Sequence, residues 1–315
     1  MKFLTQMDIM PASVKIDYRS RILSFGSCFS ENIGYRLQRA MFQIDTNPFG
    51  VLFNPASIAQ NIEILSENKN FSENHLSKRN SFFFNFAFDT SFSATTAERC
   101  LEKINARFVP AVENLKNADF LLITLGTAFV FELRQTGEIV ANCHKLPAEN
   151  FTRRRLSVDE IILIFEKLFS KLKIINPKLH IILTVSPVRH TKDGLHENNL
   201  SKSILLLSAE KLEKIFENVS YFPAYEIVLD ELRDYRFYAP DLLHPSETAI
   251  DYVWEKFAAT YFSAQTQKTV NLAEKFTADC EHIPLHPESV EFANFLKIKD
   301  KRKFELEKII GRKIV

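Results

Sequence analysis

Short apolar runs and amphipathic stretches alternate along most of the chain. Four apolar runs, each preceding a stretch with helical spacing of its apolar residues, predict β-strands at 22–25, 42–45, 120–125 and 181–186. Continuous apolar strands are typical of a parallel sheet that helices cover on both faces. The pattern therefore predicts an α/β protein, a three-layer α/β/α sandwich around a mostly parallel sheet with inserted segments.

The helices predicted between these strands have apolar residues at intervals of three and four positions. They span about 32–41, 56–67, 97–115, 156–175 and 198–218. A kink or break is expected at Pro110, because proline removes a helical hydrogen bond and clashes with the preceding turn. Two short apolar runs around Gln135-Thr136-Gly137 predict a hairpin.

The domain organisation follows from these elements. We expect one domain over residues 1–315, with a core at about 15–262, an insertion at about 68–96 and a C-terminal helical extension at 265–315. Within the insertion, the run 81–88 is rich in phenylalanine and predicts an irregular hairpin. Its rings either join the aromatic core, which is the preferred interpretation, or form a lid beside a site.

Composition narrows the possible function classes. A net charge of +1 offers no broad basic surface for nucleic acid. Four cysteines without paired spacing indicate neither a zinc site nor a disulfide framework, and they fit a reducing compartment. The first residues lack a continuous apolar signal segment, and no later run approaches a membrane span. We therefore expect a cytoplasmic protein with no membrane partner, no metal and no organic cofactor.

The first candidate for chemistry is Ser27, which follows the strand 22–25 at a predicted strand-to-helix corner. Such a corner holds the hydroxyl and the backbone N–H of a serine toward the same space, which places a nucleophile beside an oxyanion donor. Ser30 or Glu31 can cap the helix that follows. The alternative is an ordinary tight turn that happens to contain serine.

A second candidate lies far downstream, where Asp241 and His244 stand three residues apart just before a predicted helix. On one helical turn, residues three apart share a face. The carboxylate can then accept from His244 Nδ1 and leave Nε2 free to take a proton from Ser27. Taken alone, Asp241 also reads as a helix N-cap and His244 as an exposed turn residue.

These motifs resemble a known family. Gly26-Ser27-Cys28-Phe29-Ser30 is similar to the signature of the GSCFA family, with serine where the name has alanine. That family resembles SGNH (GDSL-like) hydrolases, with a serine block, a glycine block, a third block and a C-terminal Asp-x-x-His. The likeness spans about 15–262 and implies a sheet that is flavodoxin-like in strand order. Where SGNH enzymes usually have Gly-x-Asn, this chain reads Gly126-Thr127-Ala128, so the usual side-chain amide is missing.

Further candidates for oxyanion or substrate binding lie at the ends of the other predicted strands. The resemblance places the second-block glycine at Gly50, whose N–H would join that of Ser27 in an oxyanion hole. The remaining candidates are Gly126, Thr127, Asn142, His144, Lys145, Arg189 and His190. Asn142 could supply the missing amide, or the cluster around it is only a polar turn. His190 either faces the substrate, at the carboxyl edge where open α/β sheets bind ligands, or is merely solvated.

The resulting hypothesis is an ester hydrolase, similar to an acetylesterase, in which Ser27 attacks an ester carbonyl, His244 accepts its proton and Asp241 fixes the tautomer. Asn47, Asn54, Asn142 and Arg189 favour a carbohydrate-like or other polar ester as the partner. An acyltransferase with the same triad remains open. So do a thiol enzyme that uses Cys28, which a helix N-terminus would activate, and a non-catalytic protein that binds a polar ligand. The pattern gives no information on oligomeric state.

Overall fold

Five parallel strands form the central sheet in the computed structural model, which describes residues 5–68 and 71–314. The strands of the chain are β1 (Arg21–Gly26), β2 (Gln43–Thr46), β3 (Ser77–Arg79), β4 (Phe82–Phe84), β5 (Phe120–Leu125), β6 (Phe129–Leu133), β7 (Ile139–Val140), β8 (Phe151–Arg155), β9 (His180–Val185) and β10 (Val219–Tyr221). Across the central sheet they lie in the order β2-β1-β5-β9-β10. Numbered along the chain, this is the 2-1-3-4-5 order of flavodoxin-like sheets. The predicted fold class is confirmed.

Helices cover both faces of this sheet. They are α1 (Cys28–Arg39), α2 (Pro55–Glu67), α3 (Ala97–Asn117), α4 (Val158–Ile175), α5 (Leu195–Ile215), α6 (Ala224–Glu226), α7 (Glu247–Tyr261), α8 (Ala264–Glu281) and α9 (Val290–Ile310). Successive side chains of a strand point to opposite faces. Accordingly, Leu121 and Ile123 pack with α2 to α5 in one apolar core, while Phe120 and Leu122 pack with α1 and α7 in the other.

The four predicted strands agree with β1, β2, β5 and β9 to within one residue at each end. The segments inserted between them form two further sheets. β3 and β4 pair as an antiparallel hairpin, and β6 pairs with β7 as the predicted hairpin and with β8 on its other edge. β8 was not predicted, because Phe151–Arg155 carries a run of charge in place of an apolar alternation.

The aromatic run of the insertion belongs to the core. Phe88 is fully buried, and its ring stacks on Phe49 with centroids 4.4 Å apart. The ring of Phe71 packs edge-on against Phe88 at 5.1 Å. Because these rings fill the space under the insertion, the structure favours the interpretation of 68–96 as an addition to the core over that of a lid.

Three helices differ from those predicted, and one of them, α5, spans Leu195–Ile215 where 198–218 was expected. α1 begins at Cys28 and not near residue 32, because Ser27 itself serves as the N-cap and accepts a hydrogen bond from Phe29 N–H. α3 continues through Pro110, where a kink or break was expected. The proline is exposed, and buried Phe108 and Ala111 on either side of it anchor the helix to the core. That packing offsets the lost hydrogen bond.

The residues after α7 form the two helices α8 and α9. Leu306 of α9 is buried against Phe276 of α8, and Arg312 beyond α9 donates to the carbonyl oxygen of Tyr18 at 2.9 Å. Within residues 5–68 and 71–314, no helix is both long and apolar enough to span a membrane.

The contact of α1 with β2 can be tested at Gly34. A Cβ at this position would collide with the side chain of Thr46 on β2, whose Cγ2 would be 2.8 Å away. We expect Gly34→Ala to lower the free energy of unfolding by about 1–3 kcal/mol through overpacking, although alanine is intrinsically the better helix former. Chemical denaturation measures the difference.

The matched control is Gln38→Ala, on the exposed side of the same helix. It should change the free energy of unfolding by less than about 0.5 kcal/mol. Equal stability of the two variants would contradict the close packing of α1 on β2.

Candidate active site

Ser27 occupies the single residue between β1 and α1. Gly26 has a φ of +151°, and a Cβ there would collide with the carbonyl oxygen of Thr124 on β5, so no other residue fits the end of β1 without strain. Ser27 is fully buried, and its hydroxyl accepts from the Phe29 N–H at 3.4 Å. The serine therefore lies at a helix N-terminus, where the helix dipole favours negative charge.

The site lies where the strand order of the sheet reverses. β1 pairs with β5, and Gly26 is in register with Thr124, so Ser27 and Gly126 follow the carboxyl ends of adjacent strands. Ligands of open α/β sheets bind at this position. A Cβ on Gly126 would lie 2.9 Å from the Phe53 carbonyl oxygen, 3.3 Å from Ser27 Cβ and 3.4 Å from His190 Nε2. The serine and the His190 ring thus border one small space that the glycine leaves open.

Asp241 and His244 form the expected pair. His244 Nδ1 lies 2.6 Å from Asp241 Oδ2, and Asp241 Oδ1 accepts from the N–H groups of Leu243 and His244 at 2.9 and 3.0 Å. These N–H donors, together with the imidazole, lower the pKa of Asp241 to about 2. The carboxylate is therefore ionised at neutral pH and favours the tautomer with the proton on Nδ1.

The pair sits in a turn and not on a helix. Leu242 has a φ of +60°, and the N–H of Ala239 donates to the carbonyl oxygen of His244 at 2.8 Å. α7 begins at Glu247, with Ser246 as its N-cap. Asp241 is therefore no helix cap, and it meets His244 because its side chain bonds back to the backbone of the same turn.

The loop after β9 joins this turn to the sheet. Arg189 N–H donates to the carbonyl oxygen of Leu243 at 3.3 Å, next to His244. The backbone N–H of His190 donates to Asn198 Oδ1 at 2.9 Å, and the His190 ring packs edge-on against Phe53. Burial, together with the nearby charges of Lys202 and Arg153, lowers the pKa of His190 to about 4. Its buried Nε2 has no hydrogen-bond partner among the described residues.

The backbone groups expected to form an oxyanion hole have partners here. Gly50 N–H donates to the Asn47 carbonyl oxygen at 3.0 Å, and Ser27 N–H donates to the Thr124 carbonyl oxygen at a long 3.4 Å. Gly50 has a φ of +91°, and a Cβ there would collide with Asp89, so the chain needs glycine at this turn for steric reasons.

Gly126 and Thr127, the candidates in the third block, are held in place by contacts with α5 and with Phe53. Thr127 is buried, and its hydroxyl lies 3.1 Å from Ser201 Oγ. The N–H groups of Gly126 and Thr127 both donate to the Phe53 carbonyl oxygen, at 2.8 and 2.9 Å. These contacts fix the backbone after β5 beside Ser27.

Asn142, His144 and Lys145 form a turn that contacts the insertion. His144 stacks on Phe84 with ring centroids 4.2 Å apart, and its Nε2 lies 2.9 Å from the Asn85 carbonyl oxygen. Asn142 Oδ1 accepts from the His144 N–H at 2.8 Å. His144 and Lys145 have φ values of +47° and +57°. Among the described residues these contacts join the turn to the β3–β4 hairpin and not to Ser27, and the role of the three in binding remains a prediction.

The thiol of Cys28 is not activated in this structure. Burial raises its pKa, and the nearby Glu31 carboxylate raises it further, which outweighs the lowering effects of backbone N–H groups and Lys202. A thiolate at neutral pH is thereby disfavoured, although Cys28 is the first residue of α1. In the part of the chain that the structure describes, no group of three or more His, Cys, Asp or Glu side chains is arranged to hold a metal ion.

Comparison with known families decides which family the chain belongs to. The sequence model of the GSCFA family matches residues 21–257, which include Ser27, Asp241 and His244. The chain belongs to the GSCFA family. Comparison with curated protein sequences gives no match.

Solved structures that resemble this GSCFA protein include two esterases. One is a carbohydrate esterase family 3 protein from Talaromyces cellulolyticus, with 9% identity, a TM-score of 0.37, and coverage of 81% of this chain and 99% of that one. The other is an acetyl xylan esterase from the rumen bacterium Butyrivibrio proteoclasticus, with 11% identity, a TM-score of 0.35, and coverage of 76% and 63%.

Sequence reasoning missed one residue of this GSCFA site, Lys202. It is 1% exposed, and its Nζ donates to the carbonyl oxygens of Gly126 and Ser186, each at 2.6 Å. Lys202 thereby joins the backbone after β5 to the backbone after β9. The signal was present, because Lys202 shares the buried stripe of α5 with Asn198, Ser201 and Leu205, at intervals of three and four residues.

Burial lowers the pKa of Lys202 to about 7, and this makes stability depend on pH. The folded chain releases this proton near pH 7, whereas the unfolded chain keeps it up to about pH 10.4. The unfolded state therefore binds more protons in that window, and this contribution to the free energy of unfolding increases with pH. We expect the stability difference between the native protein and Lys202→Met to shift in favour of the native protein from pH 7 to pH 10.

Denaturant unfolding at several pH values measures this difference. Lys214→Met is the control, because that side chain is 71% exposed on the same helix. Its stability should run parallel to that of the native protein. A Lys202→Met curve that is also parallel would contradict the lowered pKa of Lys202.

Proposed function

We propose that this GSCFA protein is a serine hydrolase that cleaves a carboxylic ester through Ser27, His244 and Asp241. The observation that carries the proposal is the 2.6 Å contact of His244 Nδ1 with Asp241 Oδ2, which leaves Nε2 as an acceptor. The position of Ser27 at the switch point of the sheet supports it. The family membership is consistent with it.

In the proposed reaction, Ser27 Oγ bonds to the ester carbonyl carbon while its proton passes to His244 Nε2. The carbonyl electron pair moves onto oxygen and then re-forms the double bond as the alcohol leaves, taking the proton from His244. Water repeats these steps on the acyl-serine and releases the acid. Asp241 stays ionised throughout and stabilises the imidazolium.

The contact between nucleophile and base must form during the reaction. Among the described residues, Ser27 Oγ is bonded to the Phe29 N–H and not to His244, whose side chain is 48% exposed. Catalytic hydrogen bonds are often long in ligand-free structures and tighten when substrate binds. A movement of the turn that carries Asp241 and His244 toward Ser27 would complete the triad.

For the substrate we propose a polar ester, such as an acylated carbohydrate. Arg153 is paired with Asp193 on the loop of His190, and Lys192 lies on the same loop. These charges near the site support a polar alcohol part. Two of the asparagines that suggested a polar ester from the sequence have roles in the fold. Asn47 Oδ1 accepts from Gly26 N–H, and Asn54 caps α2.

One observation favours a second candidate, a non-catalytic protein that binds a polar ligand. Both N–H groups expected in the oxyanion hole, those of Ser27 and Gly50, already donate to carbonyl oxygens. If they stay engaged when ligand binds, the site holds a polar ligand without turning it over.

Labelling with a fluorophosphonate, followed by peptide mapping, separates these functions. We expect modification of Ser27 in the native chain, and none in Ser27→Ala or His244→Ala, because the hydroxyl needs a base to react. Asp241→Asn should react about 10³- to 10⁴-fold more slowly, since it no longer fixes the His244 tautomer.

Cys28→Ala is the matched control, since it changes the next residue and leaves the serine in place. It should be labelled like the native protein. Labelling that persists in Ser27→Ala and is lost in Cys28→Ala would instead support the thiol enzyme. No labelling of the native chain would reject the serine hydrolase and leave the binding protein.

A further inference from the structure

One buried nitrogen in the site has no structural role in the contacts described above. His190 Nε2 is buried without a hydrogen-bond partner among the described residues. Buried polar atoms in folded proteins are nearly always paired, so an unpaired one calls for a functional explanation. This nitrogen borders the same space beside Gly126 as Ser27 Cβ.

In the part of the chain that the structure describes, the third block offers no unengaged side-chain donor to the site. The third block has Thr127 and Ala128 after Gly126, and the Thr127 hydroxyl is engaged with Ser201. Asn142 lies in the turn that contacts the β3–β4 hairpin, where its Oδ1 accepts from the His144 N–H. We propose that His190 is the side-chain oxyanion donor of this site, and that its Nε2–H group binds the ester oxygen on which charge develops. This inference rests on the proposed function of Ser27.

The loop of His190 is fixed by bonds to α5. Its N–H is held by Asn198 Oδ1 at 2.9 Å, and four residues earlier the Ser186 carbonyl oxygen accepts from Lys202. The same Lys202 holds Gly126, on the other side of the shared space. Donors set in place before the reaction need no reorganisation as charge develops, which is the main source of electrostatic catalysis. Lys202 and Asn198 are therefore positioning residues.

The charges around His190 favour its neutral form. Lys202 from α5, Arg153 from β8 and His244 from the neighbouring turn all lower its pKa, and Asp193 on its own loop raises it by less. A neutral imidazole carries one N–H, which can donate to the oxyanion. As a base it would be weak near pH 7. The carboxylate that orients an imidazole belongs instead to His244.

The proposed step moves no proton to or from His190. As the bond from Ser27 Oγ to the carbonyl carbon forms, the electron pair of the carbonyl moves to its oxygen. The His190 N–H shortens its hydrogen bond to that oxygen, and the bond lengthens when the carbonyl re-forms. The role is thus distinct from that of His244, which takes and returns the proton.

The test compares His190→Ala with His190→Gln in the full chain, with 4-nitrophenyl acetate as substrate and a fluorophosphonate as active-site label. Loss of one oxyanion donor typically costs about 10²- to 10³-fold in kcat. We expect this loss in His190→Ala, with KM changed by less than about threefold, since uniform ground-state binding is not removed. Glutamine can donate but cannot act as a base, so His190→Gln should recover at least about tenfold of the loss.

The matched control is His180→Ala. His180 is a part-buried histidine at the opposite end of β9, where its ring contacts Ser220. Its kcat should stay within about twofold of the native value, and thermal unfolding shows whether each variant is folded. The acid limb of the pH–rate profile should be the same in His190→Gln and in the native protein, because the proposed role of His190 involves no proton transfer.

Several outcomes would overturn the inference. Native kcat in His190→Ala would exclude His190 from the reaction. Equal inactivity of folded His190→Gln and His190→Ala, or an acid limb that disappears in His190→Gln, would make His190 the base and not the donor. If the native chain is neither labelled nor active, the proposed function fails and this inference fails with it. If it is labelled and only the His190 variants behave as native, the inference alone fails.

Discussion

The contact of β1 with β5 at Gly26 is the constraint on which the site depends. Gly26 has no side chain, and for this reason the end of β1 can lie against the backbone of Thr124. The next residue, Ser27, must then leave the sheet and cap α1 at once. The close approach therefore fixes three things together: the position of the hydroxyl, its distance from Gly126, and the first turn of the helix behind it. A bulkier residue at 26 would separate the strands at the point where the sheet order reverses.

The polar stripe of α5 is the second organising feature. Asn198, Ser201 and Lys202 hold the backbone after β5 and after β9, the two strands that follow β1 on one side of the sheet. Burying a lysine without a carboxylate partner is costly, and two carbonyl acceptors offset only part of this cost. Two further buried atoms, His190 Nε2 and Asn198 Nδ2, have no hydrogen-bond partner among the residues that the structure describes. These buried polar groups lower the stability of the fold at the proposed catalytic site, as is common at functional sites.

The strands and their order could be predicted because apolar runs and helical spacing are local signals. The start of α1 could not, because the prediction treated Ser27 only as a nucleophile, whereas the structure uses it as the helix cap as well. Asp241 and His244 were found from their spacing, although the turn between them was read as a helix. Lys202 was missed because a lysine on a helix is usually solvated. Its role depends on the folded structure, in which the Gly126 and Ser186 carbonyl oxygens lie within hydrogen-bond distance of the same ammonium group.

The bond from Arg189 N–H to the Leu243 carbonyl oxygen joins two backbone segments, each of which carries a histidine at the next position. This backbone hydrogen bond links the segments of His190 and His244, although more than fifty residues of chain separate them. Because α5 also holds the loop after β9, a ligand that pulls the exposed turn inward would move His244 relative to a fixed His190. The site would then acquire its base by motion of the turn, whereas its oxyanion donor would already be in position beside the buried serine.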